Sequence, residues 1–145
     1  DGHTFTVTPG RMLRTGDPPG PLTGAGYEFD NEPTLQITHD RPGIISMWNE
    51  GEHPDGSGTN SSQWFIALSP IPEFDYFDEE LRPLDCSQPG ASCHTPFGVV
   101  IEGMEIVAEI VDGDKIKTIL IEKLPNLTST AFRGSEIFPR DPPTE

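Results

Sequence analysis

Gly58 to Leu68 reads GTNSSQWFIAL, a polar turn running straight into an aromatic and aliphatic strand with a glutamine at the join. A glutamine amide can both donate to and accept from a peptide backbone, and aromatic rings offer flat apolar surface. Delivered together at the start of a strand, Gln63, Trp64 and Phe65 suit a binding groove better than a plain core strand would require. Cys86 and Cys93 bracket the loop CSQPGASC. Their closeness, with Pro and Gly between, suits a small disulfide-closed loop in an oxidising compartment. Two free thiols in a cytosolic protein fit the same residues. A metal site is less well served, because His94 alone does not complete a four-ligand set. The acidic run EGEHPD lacks calcium-loop spacing. No metal and no cofactor is therefore expected, and the isolated His3, His39 and His53 read as surface or structural residues.

Composition narrows the partners. The chain has 145 residues, enough for one domain, with a hydrophobic content of 33% that makes for a lean core. Nine basic residues against 24 acidic ones give a formal net charge of -15. Phosphate-backbone binding needs clustered Lys and Arg, and the lysines are Lys115, Lys117 and Lys123 alone. Nucleic acid is thereby a poor partner. The charge reads as a solvated acidic surface, or as one that docks onto a basic protein. No run reaches transmembrane length. No signal peptide is visible, as in a mature or processed chain. The sequons at Asn60 and Asn126 are compatible with secretion but short enough to arise by chance.

The elements that must position these residues are short. Gly 15 and Pro 16, about a fifth of the chain, predict many turns and few long helices. TFTVTPGRMLRTG reads as two strands around the turn dipeptide Pro9-Gly10. TLQITHD alternates Leu35 and Ile37 with polar neighbours and reads as a half-buried strand. GIISMW, SQWFIAL and FGVVIEG read as strands, and DPPGPLTGAGYEFDNEP and NEGEHPDGSGTNS as loops. GMEIVAEIV sets Met104, Val107, Ala108 and Val111 at helical spacing, predicting a short amphipathic helix. DKIKTILIEKL alternates as a closing strand. The sum is mainly β with one short helix and long loops, a barrel or sandwich.

The order of these segments resembles the cyclophilin family of peptidyl-prolyl isomerases. DGHTFTVTPGRMLRTGDPPGPLTGAGYEFDNE, HDRPGIISMWNEGEHPDGSGTNSSQWFIAL and CHTPFGVVIEGMEIV each look like a family stretch, and they occur in the family's order. The resemblance covers roughly residues 1–124, with an insertion about 73–93, and leaves 125–145 as an extended C-terminal tail. It implies an eight-strand β-barrel capped by helices, with a surface groove for a proline-containing peptide. The family normally begins with two strands and a helix before its Asp-Gly, whereas this chain starts at Asp1-Gly2. The barrel is then incomplete at the N-terminus. Its open edges are expected to be restored by a removed segment or by another chain.

Carried over residue by residue, the resemblance implies a drifted isomerase site. The family's catalytic arginine falls on Thr6, or on Val7 in the other alignment, and neither can supply a cation. Arg11 stands for an aromatic residue and Arg14 for a glutamine, while Met12 is kept. Trp48 replaces a small residue and would fill part of the groove, and Asn49 is kept. Gln63 and Phe65 match, Phe74 lies beside the position of a loop tryptophan, and His94 matches. Arg14, two residues from Met12 and so on the same strand face, is the candidate to replace the lost guanidinium. The function expected is binding of an extended or proline-containing partner segment, as a structural or assembly subunit with a degenerate isomerase site. The rival is an active isomerase of reduced efficiency that assists protein folding. In an assembly, the tail 125–145 would lie extended against another chain. The cysteines and acidity fit secretion or an organelle lumen, such as the secretory pathway, the periplasm or a thylakoid lumen.

Overall fold

Thr8-Pro9-Gly10-Arg11 turns the chain once, and that turn starts the sheet. Pro9 fixes its φ, Gly10 takes φ 68° as the third position of a type II turn requires, and the Arg11 N–H donates to the Thr8 carbonyl at 3.0 Å. The flanking residues form β1 (Thr6–Thr8) and β2 (Met12–Thr15), paired antiparallel with Thr6 opposite Arg14. The computed structural model describes residues 3–16, 25–86 and 93–123.

Three more strands complete one antiparallel sheet. They are β3 (Ile44–Met47), β4 (Trp64–Ala67) and β5 (Pro96–Val99), and the spatial order is β1-β2-β4-β3-β5. Directly paired residues share a face, so Thr6, Arg14, Phe65 and Ser46 lie in one row across four strands. Met12 and Ala67 occupy the neighbouring row of that face. They join Ile44, Phe65, Ile71 and Phe74 in the buried core cluster. The opposite face carries Leu13, fully buried, and Trp64, whose ring meets Phe5 edge-on at 6.5 Å.

The strands expected in GIISMW and SQWFIAL form, that expected in FGVVIEG forms only to Val99 and begins at Pro96, and the hairpin around Pro9-Gly10 forms as expected. The expected helix is a single turn, α1 (Met104–Val107). TLQITHD is not a strand. Thr34 Oγ1 accepts the Gln36 N–H at 3.1 Å, a local bond that competes with a ladder, and Pro33 and Pro42 flank the segment. Leu35 points to solvent while Ile37 packs against the core. Among the described residues, DKIKTILIEK forms no ladder beyond a bridge between Thr4 and Lys115 and a bond from Ile116 N–H to the His3 carbonyl. Leu120 and Ile121 are 82% and 93% exposed. The tail 125–145 lies outside the described residues.

The loop 50–62 is held by three asparagines. Asn60 is fully buried, and its Nδ2 donates to the Phe29 carbonyl at 3.2 Å and to Asn31 Oδ1 at 2.7 Å. Asn49 Nδ2 lies 3.1 Å from Asn31 Oδ1, 3.3 Å from Asn60 Oδ1 and 3.1 Å from the Cys93 carbonyl. Gly58 makes this approach feasible, since a Cβ there would stand 2.7 Å from Asp30 Cα. The described part of the segment about 73–93 is held by contacts of its own. Phe77 bridges Pro83, Asp78 holds Arg82 through Nε at 2.7 Å, and a disulfide joins Cys86 to Cys93.

Replacing Asn60 by alanine removes the donor to the Phe29 carbonyl, one of two donors to Asn31 Oδ1 and the oxygen facing Asn49 Nδ2, and should destabilise the domain by about 1–3 kcal/mol, measured by urea unfolding. With both amide hydrogens engaged inside the fold, Asn60 should carry no glycan. An Asn126→Gln chain made in a glycosylating secretory host should have the mass of the bare polypeptide.

Candidate functional site

Phe65 is the hinge of the site. It sits in the central strand β4, fully buried, with Arg14 beside it on β2 and Ser46 on β3. Around it gather aromatic side chains from three loops. Phe74, in a 3-10 turn at Pro72–Phe74, meets Phe65 edge-on at 5.5 Å. His94, just after Cys93, lies 5.5 Å from Phe65 and 4.3 Å from Phe74. Trp48, at the end of β3, stacks on His94 at 5.0 Å and meets Phe65 and Phe74 at 6.2 and 6.4 Å. Met12 is buried in the same cluster.

Cations border the rings. The Arg14 guanidinium lies 4.7 Å over the Trp48 ring, and that of Arg11 lies 5.2 Å over Phe74. Arg11 is also paired with Glu73 at 2.8 Å. Thr6, opposite Arg14, faces the same side, whereas Val7 alternates to the other face. The Trp48 indole N–H donates to Glu50 Oε1 at 2.9 Å, and Gln63 holds Trp48 by its backbone carbonyl at 3.0 Å. The Gln63 side chain presents a buried Oε1 with no hydrogen-bond partner among the described residues.

The supports beneath are polar. His94 Nδ1–H donates to the Met47 carbonyl at 3.1 Å, which leaves its other nitrogen as an acceptor. Burial pushes the imidazole down to about 4, and the neighbouring His39 adds to that effect. His94 is thus neutral at physiological pH and acts here as an aromatic surface. His39, expected to be surface or structural, is fully buried behind Phe65. The two rings stack at 5.8 Å, and His39 Nδ1–H donates to Asp75 Oδ1 at 2.7 Å. Tyr76 and Thr95 share a hydrogen bond of 3.1 Å, and burial raises the phenol to about 12. Among the described residues no cluster of three or more His, Cys, Asp or Glu could hold a metal ion. No helix among them is long and apolar enough to cross a membrane.

The structure brings Met12, Trp48, Phe65, Phe74 and His94 into one cluster, with Arg14 and Gln63 at its border. Asn49 lies below, its amide engaged by Asn31, Asn60 and Cys93. Sequence reasoning did not link His39 to Asp75, 36 residues apart, nor Asn31 and Asn60 to Asn49. No local spacing signals those contacts.

A family model for cyclophilin type peptidyl-prolyl cis-trans isomerases matches residues 1–126. The chain belongs to the cyclophilin-type peptidyl-prolyl cis-trans isomerase family. The human Peptidylprolyl isomerase domain and WD repeat-containing protein 1 is 38% identical over 115 residues, which are 76% of this chain and 15% of that protein. Peptidyl-prolyl cis-trans isomerase-like 1 of Aspergillus oryzae is 32% identical over 105 residues, 70% of this chain and 52% of that protein. The cyclophilin domain thus spans only 15% to 52% of the length of these curated relatives. A crystal structure of a Cryptosporidium parvum cyclophilin type isomerase superposes with a TM-score of 0.58 at 26% identity, covering 86% of this chain and 75% of the other. The same protein in the presence of the dipeptide Ala-Pro superposes at 0.52 and 26% identity, covering 76% and 60%. The sheet described above is therefore a cyclophilin-like antiparallel sheet.

The buried, neutral His94 has a consequence for acid stability. Unfolded, its imidazole titrates near 6.5, and folded near 4. Between those values the unfolded chain binds the extra proton, so stability is lost as pH falls from about 6.5 towards 4, by roughly 3 kcal/mol in all. Urea unfolding of wild type and His94→Gln across pH 4–7 should show this slope in the wild type and a shallower one in the variant. Equal slopes would remove His94 as the cause.

Proposed function

We propose that this cyclophilin-family domain binds an extended or proline-containing segment of a partner protein, as a structural or assembly subunit whose isomerase site has degenerated. The observation that carries the reading is Trp48, stacked on His94 at 5.0 Å and packed against Phe65 and Phe74. Its half-buried indole, with His94 stacked on it and the Arg14 guanidinium over it, fills room over the cluster and leaves an aromatic edge for a partner segment. Aromatic platforms suit proline-rich segments, whose pre-formed extended helix has little entropy to lose. The unpaired, buried Oε1 of Gln63 supports the reading as an acceptor that a side-chain turn would offer to a peptide N–H.

Turnover makes stricter demands. Rotation about an X–Pro bond faces a barrier of about 18–20 kcal/mol, and a cation at the twisted amide lowers it electrostatically. Thr6 stands at the position where the resemblance expects that cation. Losing a contact of this kind costs roughly 3–4 kcal/mol, a factor of about 10²–10³ in rate. A second reading, a working isomerase of reduced efficiency that assists folding, is favoured by one observation. Arg14 lies directly opposite Thr6 and faces the same side.

The same proposal takes residues 1–124 as the domain, with the insertion 73–93 supplying Phe74 and a barrel closed by strands beyond those described. The tail 125–145 would then dock on a neighbour. The Cys86–Cys93 disulfide supports an oxidising compartment.

A proline-isomerisation assay should find the wild type about 10²–10³-fold slower than a family member that retains the arginine. Titration with a proline-containing peptide should still perturb Trp48 fluorescence, and Trp48→Ala should weaken that binding. Full isomerase efficiency in the wild type would overturn the first reading. Equal rates for wild type and Arg14→Ala, or no rate in either, would dispose of the second.

A further inference from the structure

The charge around the aromatic platform runs against the charge of the chain. Acids outnumber bases 24 to 9, yet two guanidiniums lie on the rings of Trp48 and Phe74. Arg11 is matched by Glu73 at 2.8 Å. Arg14 is not matched. Among the described residues its one interaction is with the Trp48 indole face. The carboxylate of Glu50, two residues from Trp48, is held by the indole N–H at 2.9 Å.

An arginine whose guanidinium lies over an indole is held by cation–π attraction and keeps N–H donors for other partners. Their fork fits a carboxylate with two parallel hydrogen bonds. Where acids are abundant, a cation on the site face with no carboxylate from the described residues is suited to meet one from outside. We propose that the segment received on this platform carries an Asp or Glu side chain next to its proline, and that Arg14 reads that carboxylate. The inference rests on the reading of the platform as a proline-segment site. Arg14 neighbours Phe65 across the β2–β4 ladder. Adjacent strands lie about 4.8 Å apart and one residue of an extended peptide spans about 3.3 Å, so a proline held at the half-buried Trp48 brings its neighbour within reach of Arg14.

The global field makes the test discriminating. A net charge of -15 repels acidic peptides in general, so a preference for them can come only from a local cation. At physiological ionic strength the Debye length of about 8 Å screens most of the distant charge. The experiment is a Trp-fluorescence titration of the full chain at that salt. The peptides are acetylated, amidated Ala-Glu-Pro-Ala and Ala-Pro-Glu-Ala, with their glutamine counterparts. At least one glutamate peptide should bind about fivefold or more tightly than its glutamine counterpart. The preference should shrink at high salt and disappear or invert in Arg14→Gln, while Arg82→Gln, which removes an exposed cation elsewhere, should keep it. Glutamine and glutamate peptides binding equally well to the wild type would overturn the inference and leave the platform intact. No binding of any proline peptide would overturn both. If Arg14→Gln fails to fold, the wild-type peptide pairs and their salt dependence decide alone.

Discussion

The pairing of β4 between β2 and β3 is the constraint on which everything else depends. It sets Phe65 in the middle of the sheet and places Arg14 and Thr6 in line with it on one side and Ser46 on the other. Because side chains alternate along a strand, a shift of one residue would turn Phe65 and Met12 away from the aromatic cluster. Phe74, His94 and Trp48 come from loops, and Phe65 is the fixed object against which they pack. The polar supports hold those loops at the right depth. Asp75 holds His39 behind Phe65, the Met47 carbonyl orients His94, and the three asparagines tie the loop after β3 to the segment around Asn31.

Chemistry follows from where charge is present and where it is excluded. The interior of the cluster disfavours charge, which is why His94 is neutral and serves as surface instead of as acid or base. The border carries the guanidiniums, held on ring faces. On the proposed function, this arrangement serves to hold an extended segment more than to place a cation against a twisted amide.

Much of this was legible in the residues. The hairpin at Pro9-Gly10 could be read because turn chemistry is local, and three strands could be read from continuous apolar runs. The cluster of Met12, Trp48, Phe65, Phe74 and His94 came through likeness to a family, since periodicity does not say which loops converge. The failures have physical causes. TLQITHD has a strand's alternation, but a threonine hydroxyl and two prolines offer the backbone other solutions. DKIKTILIEKL alternates as well, and alternation encodes a face without providing a neighbour to bond. The His39–Asp75 pair and the asparagine trio depend on distant backbone approach, for which no short-range pattern exists.

Trp48 and Arg14 have a further meaning in terms of how such a site changes over time. The polar braces lie beneath the cluster, and neither Trp48 nor Arg14 takes part in them. The two side chains that give the surface its shape and sign are therefore separable from those that keep the loops in place. Changing either one would alter that surface without cutting a hydrogen bond of the braces.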